Sequence, residues 1–195
     1  EKLGSEIEEL LPEYKKDFSD QIYGRAFDVN APVSISEYLK FLISIDRKSK
    51  PLKSIQGMIW KNGYESGELK SVMFDDVPKA LERWFEQGKT IAVYSSGSVL
   101  AQKLIFQYSN FGDLSKYISA YFDTSVGHKR EIKSYQNIAE QLQNRKFEIL
   151  FISDVVEELD AAHAAGFETA LSVREGNPPF RNSGNYQIVS SFDNL

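Results

Sequence analysis

The sequence predicts an α/β fold: a parallel sheet with helices on both faces, preceded by a small all-helical module. Three observations lead there. Beyond residue 76, short apolar runs alternate with helical patterns, the rhythm of strand–helix–strand units. The connections between them are short, which suits parallel strands joined by crossover helices. Up to residue 70, only helical spacing occurs. The 195-residue chain is long enough for one core domain plus an appendage. The expected division is a helical domain over 1–75 and an α/β core over 76–195.

In the first domain, Ile7, Leu10, Leu11, Tyr14 and Phe18 recur at helical spacing behind a Ser5-x-x-Glu8 capping box. Pro12 is expected to kink or split that helix. A second box, Ser34-x-x-Glu37, precedes Tyr38, Leu39, Leu42 and Ile43. A third helix is expected from Pro51, with Leu52, Ile55 and Ile59 on one face and Asn62-Gly63 as its stop.

In the core, a helix over 78–87 points Leu81, Trp84 and Phe85 inward and ends at Gly88. A strand over 90–95 leads into a helix over 98–109. The short strand Ala120-Tyr121-Phe122 runs through Asp123 and a polar loop to a helix over 131–143. Then come a strand over 147–153, a helix over 156–165 ended by Gly166, a strand over 168–173 and a strand-like piece over 186–190. No internal repeat or low-complexity segment interrupts this order.

Composition narrows the function. A net charge of -5 argues against a binder of nucleic-acid backbone, which needs a basic face. There is no cysteine, which excludes disulfides, thiolate metal sites and cysteine nucleophiles. No apolar run approaches the length of a membrane span and no signal peptide is visible. The expectation is a cytoplasmic protein, with the nucleus as a second location, that engages neither nucleic acid nor membrane. GxxxxGKS/T, GxGxxG and GxSxG segments are all absent, leaving nucleotide-loop and serine-hydrolase readings without support.

Ligands of open α/β sheets bind beyond the carboxyl ends of the strands. That rule selects Ser95-Ser96-Gly97-Ser98, Asp123 to Lys129, Ser153-Asp154 and Arg174 to Asn177. Three hydroxyls and a glycine where a helix opens suit an anion, because a helix N-terminus presents unpaired N–H groups and partial positive charge. Ser98 by itself reads as a helix N-cap. Lys129, in the polar loop of the same rim, suits a point-charge phosphate clamp. Asp154 closes a buried apolar run, well placed to bind Mg²⁺ or to cap the next helix. Glu157, Glu158 and Asp160 read as a solvated first turn, His128 as loop packing, and His163 as structural. Trp60 and Trp84 read as core. Arg174 to Asn177 reads equally as a closing element or a plain turn.

A strand ending in serine, then a lysine, then a strand ending in aspartate resembles the later signatures of the haloacid dehalogenase superfamily, whose core is a Rossmann-like parallel sheet. The blocks "VYSSGSVLAQKLIF", "YFDTSVGHKREIKSY", "ILFISDVVEELDAA" and "QGMIWKNGYESGELKSVMFDDV" are similar to the acireductone synthase family, the enolase-phosphatases of methionine salvage. The resemblance covers roughly residues 50–178. It implies that Ser95 and Ser96 hold the substrate phosphate, that Lys129 neutralises it as a catalytic group, and that Asp154 binds Mg²⁺. It also implies that the first domain is a cap controlling access. The implied reaction enolises 2,3-diketo-5-methylthiopentyl 1-phosphate and then dephosphorylates it to the acireductone. The partner is thus a small phosphorylated diketone, handled by a monomer.

One departure matters. That family carries its nucleophilic aspartate in a DxEGT-like segment at the end of a first core strand, before the cap, and this sequence contains no such segment. Asp17 and Asp20 lie in helical polar context and do not replace it. The chain by itself is therefore expected to be inactive, its core lacking the first strand. It reads either as part of a longer enzyme, preferred because the pocket residues are intact, or as a short form that hydrolyses nothing. Arg174-Glu175-Gly176-Asn177 also departs from the family's Arg-Pro-Gly-Asn. A phosphatase for another small phosphate ester, or a non-catalytic phosphoester-binding or interaction module, are the alternative readings.

Overall fold

The structure is a computed structural model describing residues 2–47, 49–177 and 186–195. It divides into two compact units, Glu1–Leu69 and Lys70–Leu195.

The first unit is built from α1 (Lys2–Glu9), α2 (Leu11–Ser19), α3 (Pro32–Ser44) and α4 (Lys50–Glu65). Pro12 splits the first two as expected. It lies in the first turn of α2, where its missing N–H would have had no helical partner anyway. Neither early capping box forms. α1 already runs from Lys2, and α3 begins at Pro32 behind Ala31. Ser34 instead staples the preceding loop: its hydroxyl donates to Ala26 O at 3.2 Å and accepts from Asp28 N at 2.9 Å. Ser49 is the true cap of α4, accepting from Leu52 N at 3.3 Å.

Asn62-Gly63 is not a stop. α4 continues to Glu65, and Gly63 is needed for packing, since a Cβ there would sit 2.7 Å from Leu69 Cδ1. The turn falls at Gly67, whose φ of 79° is the left-handed conformation that glycine adopts without strain. Leu10, Tyr23, Tyr38, Leu42, Leu52 and Ile55 form the core of this unit. Asp17 is buried within it, accepting from Tyr38 Oη at 2.9 Å and Arg47 Nη2 at 2.8 Å. Trp60, expected in the core, is 40 % exposed.

The second unit holds α5 (Asp76–Glu86), β1 (Ala92–Tyr94), α6 (Val99–Gln107), β2 (Ala120–Phe122), α7 (Ile132–Leu142), β3 (Leu150–Ser153), α8 (Val156–Ala164), β4 (Glu168–Ser172) and β5 (Gln187–Val189). All strand pairings are parallel, but they form two sheets rather than one. β1 pairs with β2, and β4 lies between β3 and β5. Among the described residues no ladder joins β1 to β3. The strands are shorter than the apolar runs suggested, because short 3-10 turns such as Lys146–Glu148 take up their flanks. In β4, Ala170 and Leu171 are fully buried, the burial of a central strand. Phe85, expected inward, is 53 % exposed.

Helix α7 lies against α8 through Ala139, Ala161, Ala162 and Ala165, whose small side chains permit close approach. Tyr135, fully buried, completes that cluster. Its ring contacts Tyr94 of β1 at 5.7 Å, Phe151 of β3 at 5.0 Å and Phe167 at 5.8 Å, all edge-on.

The start of α5 is fixed by a buried ion pair. Arg174 Nη1 and Nη2 donate to Asp76 Oδ1 and Oδ2 at 2.7 and 2.6 Å, and the guanidinium is sandwiched between Phe74 and Phe192. The Arg174 bonds, helped by Phe192 N–H, hold the Asp76 carboxyl well below the usual carboxylate range against the opposing effect of burial. A depressed carboxylate contributes stability above its unfolded pKa, about 4, and loses that contribution as pH falls toward its folded value. Asp76→Ala leaves a buried guanidinium unpaired and is expected to cost about 3 kcal/mol in denaturant titrations at neutral pH. In acid the gap between wild type and variant should narrow below about pH 4; a gap independent of pH would refute the pairing argument.

Candidate active site

The four rim segments all lie in the second unit. Ser95 and Ser96 follow β1 directly. Ser95 N–H donates to Phe122 O at 3.0 Å, which ties the end of β1 to the end of β2. Ser95 Oγ accepts from Gly97 N at 3.1 Å, which leaves its own O–H proton available to donate. Ser96 is exposed. Ser98 caps α6, accepting from Ala101 N at 3.3 Å. Gly97 is not required by the chain's own packing: a Cβ there would meet Ser95 Oγ at 3.5 Å, an ordinary contact.

Sequence reasoning missed Gln102. It is 3 % exposed, and its Nε2 donates to Gly97 O at 2.9 Å and Phe122 O at 2.8 Å. Nothing in the sequence marked it, since glutamine on an amphipathic helix reads as a surface residue.

The loop after β2 is held carbonyl by carbonyl. Asn137 Nδ2 donates to Val126 O at 3.0 Å, Tyr94 Oη to Gly127 O at 2.9 Å, Ser134 Oγ to His128 O at 2.7 Å and Tyr135 Oη to Lys129 O at 2.5 Å. Four successive carbonyls thus accept from side chains, three of them on α7. Gly127 permits this: its φ is 131°, and a Cβ would lie 2.2 Å from Ser134 Oγ. Burial pushes the Tyr94 and Tyr135 hydroxyls up from the ordinary tyrosine range, so both remain donors. His128 is exposed and takes part only in local contacts, accepting from Arg130 N at 3.3 Å.

Lys129 Nζ lies 2.6 Å from Glu158 Oε2 and 5.8 Å from the centre of the Tyr94 ring. Its side chain is 21 % exposed. Glu158 overturns the expectation of a solvated first turn: it is 8 % exposed and also accepts from Ser153 Oγ at 2.8 Å. A carboxylate buried beside a lysine needs those partners to offset lost hydration. Glu157 and Asp160 are exposed.

Asp154 follows Ser153 at the end of β3 and is exposed. It does not cap α8. Asn177 Nδ2 donates to its Oδ2 at 2.9 Å, while Asn177 Oδ1 accepts from Arg174 N at 2.7 Å. The 174–177 segment is therefore a turn that reaches the rim through Asn177, its arginine engaged elsewhere with Asp76. His163 is exposed on α8. Trp84 is half-buried and donates from Nε1 to Leu195 O at 3.2 Å.

Among the described residues, no hydrogen bond or ion pair joins Ser95 or Ser96 directly to Lys129 or Asp154. They are linked in series: Tyr94 beneath Lys129, Lys129 to Glu158, Glu158 to Ser153, and Ser153 next to Asp154. No group of three or more His, Asp or Glu side chains that could hold a metal occurs among the described residues. Mg²⁺ needs no such cage. It takes one or two carboxylates and completes its shell with water and phosphate oxygens, so an exposed aspartate fixed by an asparagine fits it.

Parallel strands with polar groups at their carboxyl ends are an arrangement shared with the haloacid dehalogenase-like hydrolases. The family model described as "Hydrolase: haloacid dehalogenase-like hydrolase" matches residues 10–166. The chain is 54% identical over 189 residues to "Enolase-phosphatase E1" of Leptospira borgpetersenii serovar Hardjo-bovis (strain JB197), covering 97% of this chain and 80% of that protein. It is 49% identical over 163 residues to the "Enolase-phosphatase E1" of Drosophila persimilis, covering 83% and 65%. Among solved structures, the UTR4 protein (Unknown transcript 4 protein) of Saccharomyces cerevisiae superposes with a TM-score of 0.76 at 33% identity, covering 95% of this chain and 90% of that one. The chain belongs to the enolase-phosphatase E1 family of haloacid dehalogenase-like hydrolases.

Tyr135→Phe keeps the ring and deletes only the donor to Lys129 O. Stability should fall by about 1 kcal/mol, the scale of one buried bond. Tyr135→Ala should cost about 4 kcal/mol. Equal losses in the two variants, measured by urea denaturation, would contradict the division of labour between ring and hydroxyl.

Proposed function

We propose that this chain serves a Mg²⁺-dependent phosphatase of the enolase-phosphatase type. Its substrate would be 2,3-diketo-5-methylthiopentyl 1-phosphate, enolised and dephosphorylated to the acireductone of methionine salvage. The observation that carries the reading is the 54% identity, over 97% of the chain, to a protein of that name. The rim chemistry agrees with it.

In this reading Ser95 and Ser96 donate hydroxyl protons to the phosphate oxygens. Lys129 supplies positive charge where negative charge builds up during phosphoryl transfer. Glu158, 2.6 Å from Nζ, keeps the ammonium oriented. Asp154, steadied by Asn177, would hold the Mg²⁺, which when bound supplies Lewis-acid polarisation of a phosphoryl oxygen. Attack on phosphorus requires a further carboxylate, the aspartate of the DxEGT-like segment that this sequence does not contain. Glu158 does not replace it, being paired with Lys129 and hydrogen-bonded by Ser153.

The test measures Mg²⁺-dependent phosphate release by the chain and by a form carrying the family's DxEGT-bearing strand at its N-terminus. Release only by the form carrying that strand, and from the diketo phosphate in preference to generic phosphate esters, is the expected result. Preference for a generic ester moves the substrate to another small phosphate ester, and phosphate binding without release in either form leaves a binding module.

Lys129→Ala should weaken inorganic phosphate binding by about tenfold or more, as loss of a charge-assisted bond does. Asp154→Asn should abolish the rise in melting temperature produced by Mg²⁺. Unchanged behaviour in either variant removes that residue from the site.

A further inference from the structure

Gln102 spends its whole donor capacity on the backbone beneath the serine turn. Its two N–H protons go to Gly97 O at 2.9 Å and Phe122 O at 2.8 Å, and Phe122 O also accepts from Ser95 N at 3.0 Å. One carbonyl at the end of β2 therefore anchors both sides of the connection between β1 and α6.

The arrangement carries a cost. Among the described residues, the buried Gln102 Oε1 has no hydrogen-bond partner. A buried acceptor left unpaired in a native core calls for a reason. Turning the amide over would not help, because it would set an oxygen against two carbonyl oxygens. The site has room for an acceptor it does not satisfy, so the residue's use must lie in its donors.

Those donors set a direction. The Gly97–Ser98 peptide is planar and trans, so its C=O and N–H point opposite ways. With Gly97 O drawn inward to Gln102, Ser98 N–H faces away from Gln102. The bond of Gly97 N to Ser95 Oγ then fixes the Ser95 hydroxyl on the same short turn.

We infer that Gln102 is a positioning residue that orients the serine turn for phosphate. It touches no substrate and acts through the Gly97 and Phe122 carbonyls. The inference rests on the phosphate-handling role proposed for Ser95 and Ser96, and it assigns to α6 a part beyond supplying a helix N-terminus. A residue that merely filled space could be replaced by an apolar side chain of equal length; a residue that aims the turn could not.

Two variants separate these roles. Gln102→Met keeps the volume and removes both donors. Gln102→Glu keeps the shape but offers a donor only when its carboxyl is protonated, which burial favours as pH falls. Binding of inorganic phosphate is measured by calorimetry from pH 8 to pH 6, each variant referred to wild type at the same pH. Thermal unfolding and amide NMR spectra accompany the titrations.

The expected result is a folded Gln102→Met protein with affinity about tenfold weaker, the scale of one misdirected donor, and displaced Ser96 and Ser98 amide resonances. The Gln102→Glu deficit should shrink as pH falls. A folded Gln102→Met with wild-type affinity overturns the inference and leaves the proposed function standing. Should Gln102→Met not fold, the Glu series decides: a deficit independent of pH overturns it equally. Wild-type protein that binds no phosphate, with Lys129→Ala indistinguishable from it, removes both readings together.

Discussion

Burial of the Tyr135 ring is the constraint on which the second unit depends. Among the described residues the two sheets share no backbone hydrogen bond, so the pairing that normally unifies a sheet does not join β1 to β3. Side chains join them instead. Tyr135 meets Tyr94 on one sheet and Phe151 on the other, while the alanines of α7 and α8 bring the helices close enough to seal the contact. Aromatic edge contacts and buried area are non-directional compared with a ladder, so position has to be set by something else. The Tyr135 hydroxyl provides it, bonding Lys129 O and so fixing the following loop to the packed ring.

From that point, polar satisfaction and functional geometry coincide. A backbone carbonyl withdrawn from water without a donor is costly, and the loop from Val126 to Lys129 has four part-buried carbonyls in succession. Asn137, Tyr94, Ser134 and Tyr135 supply one donor each. The loop is thereby held in a single shape, and the Lys129 side chain leaves it toward Glu158. Glu158 in turn is buried only because Lys129 and Ser153 compensate its charge. The lysine's direction is a by-product of satisfying the carboxylate, and the carboxylate's burial is a by-product of the lysine's position.

Local signals were legible in the sequence and distant ones were not. The strand Ala120–Phe122 appears with the expected limits, and Ser98 caps α6, because an apolar triplet and a cap bond are set by neighbours along the chain. Pro12 split its helix for the same reason. The early Ser-x-x-Glu boxes failed because α1 already runs from Lys2, leaving Ser5 inside the helix, and because Ser34 bonds a loop up to eight residues back. Glu158 looked like a first-turn acid, since its partner Lys129 lies on another element. Arg174 looked like a rim residue, but its carboxylate is 98 positions away, on α5. Polar residues are misread where their partners are remote, because an exposed and a buried glutamine or glutamate look identical in one sequence. The candidate rim was legible as positions, at strand ends, while the wiring beneath it was not.

That wiring explains how exposed and buried polar groups divide the work. Ser96 and Asp154 are exposed, while Gln102, Ser134, Ser153 and Glu158 are buried, and the half-buried Lys129 stands between them. The groups facing solvent have few internal bonds and so retain hydrogen-bonding capacity for a ligand. The groups beneath them have spent theirs on the backbone or on one another. The anion site proposed here would draw on this asymmetry, since a donor that must reorganise to meet its ligand loses part of what the contact provides. Asn177 shows the same logic at the other end of the rim: one side of its amide accepts from Arg174 N, and the other donates to Asp154. The Asp76–Arg174 pair, buried between two aromatic rings, is therefore connected to the rim through a single side chain, and the stability of α5 and the orientation of Asp154 are parts of one hydrogen-bonded structure.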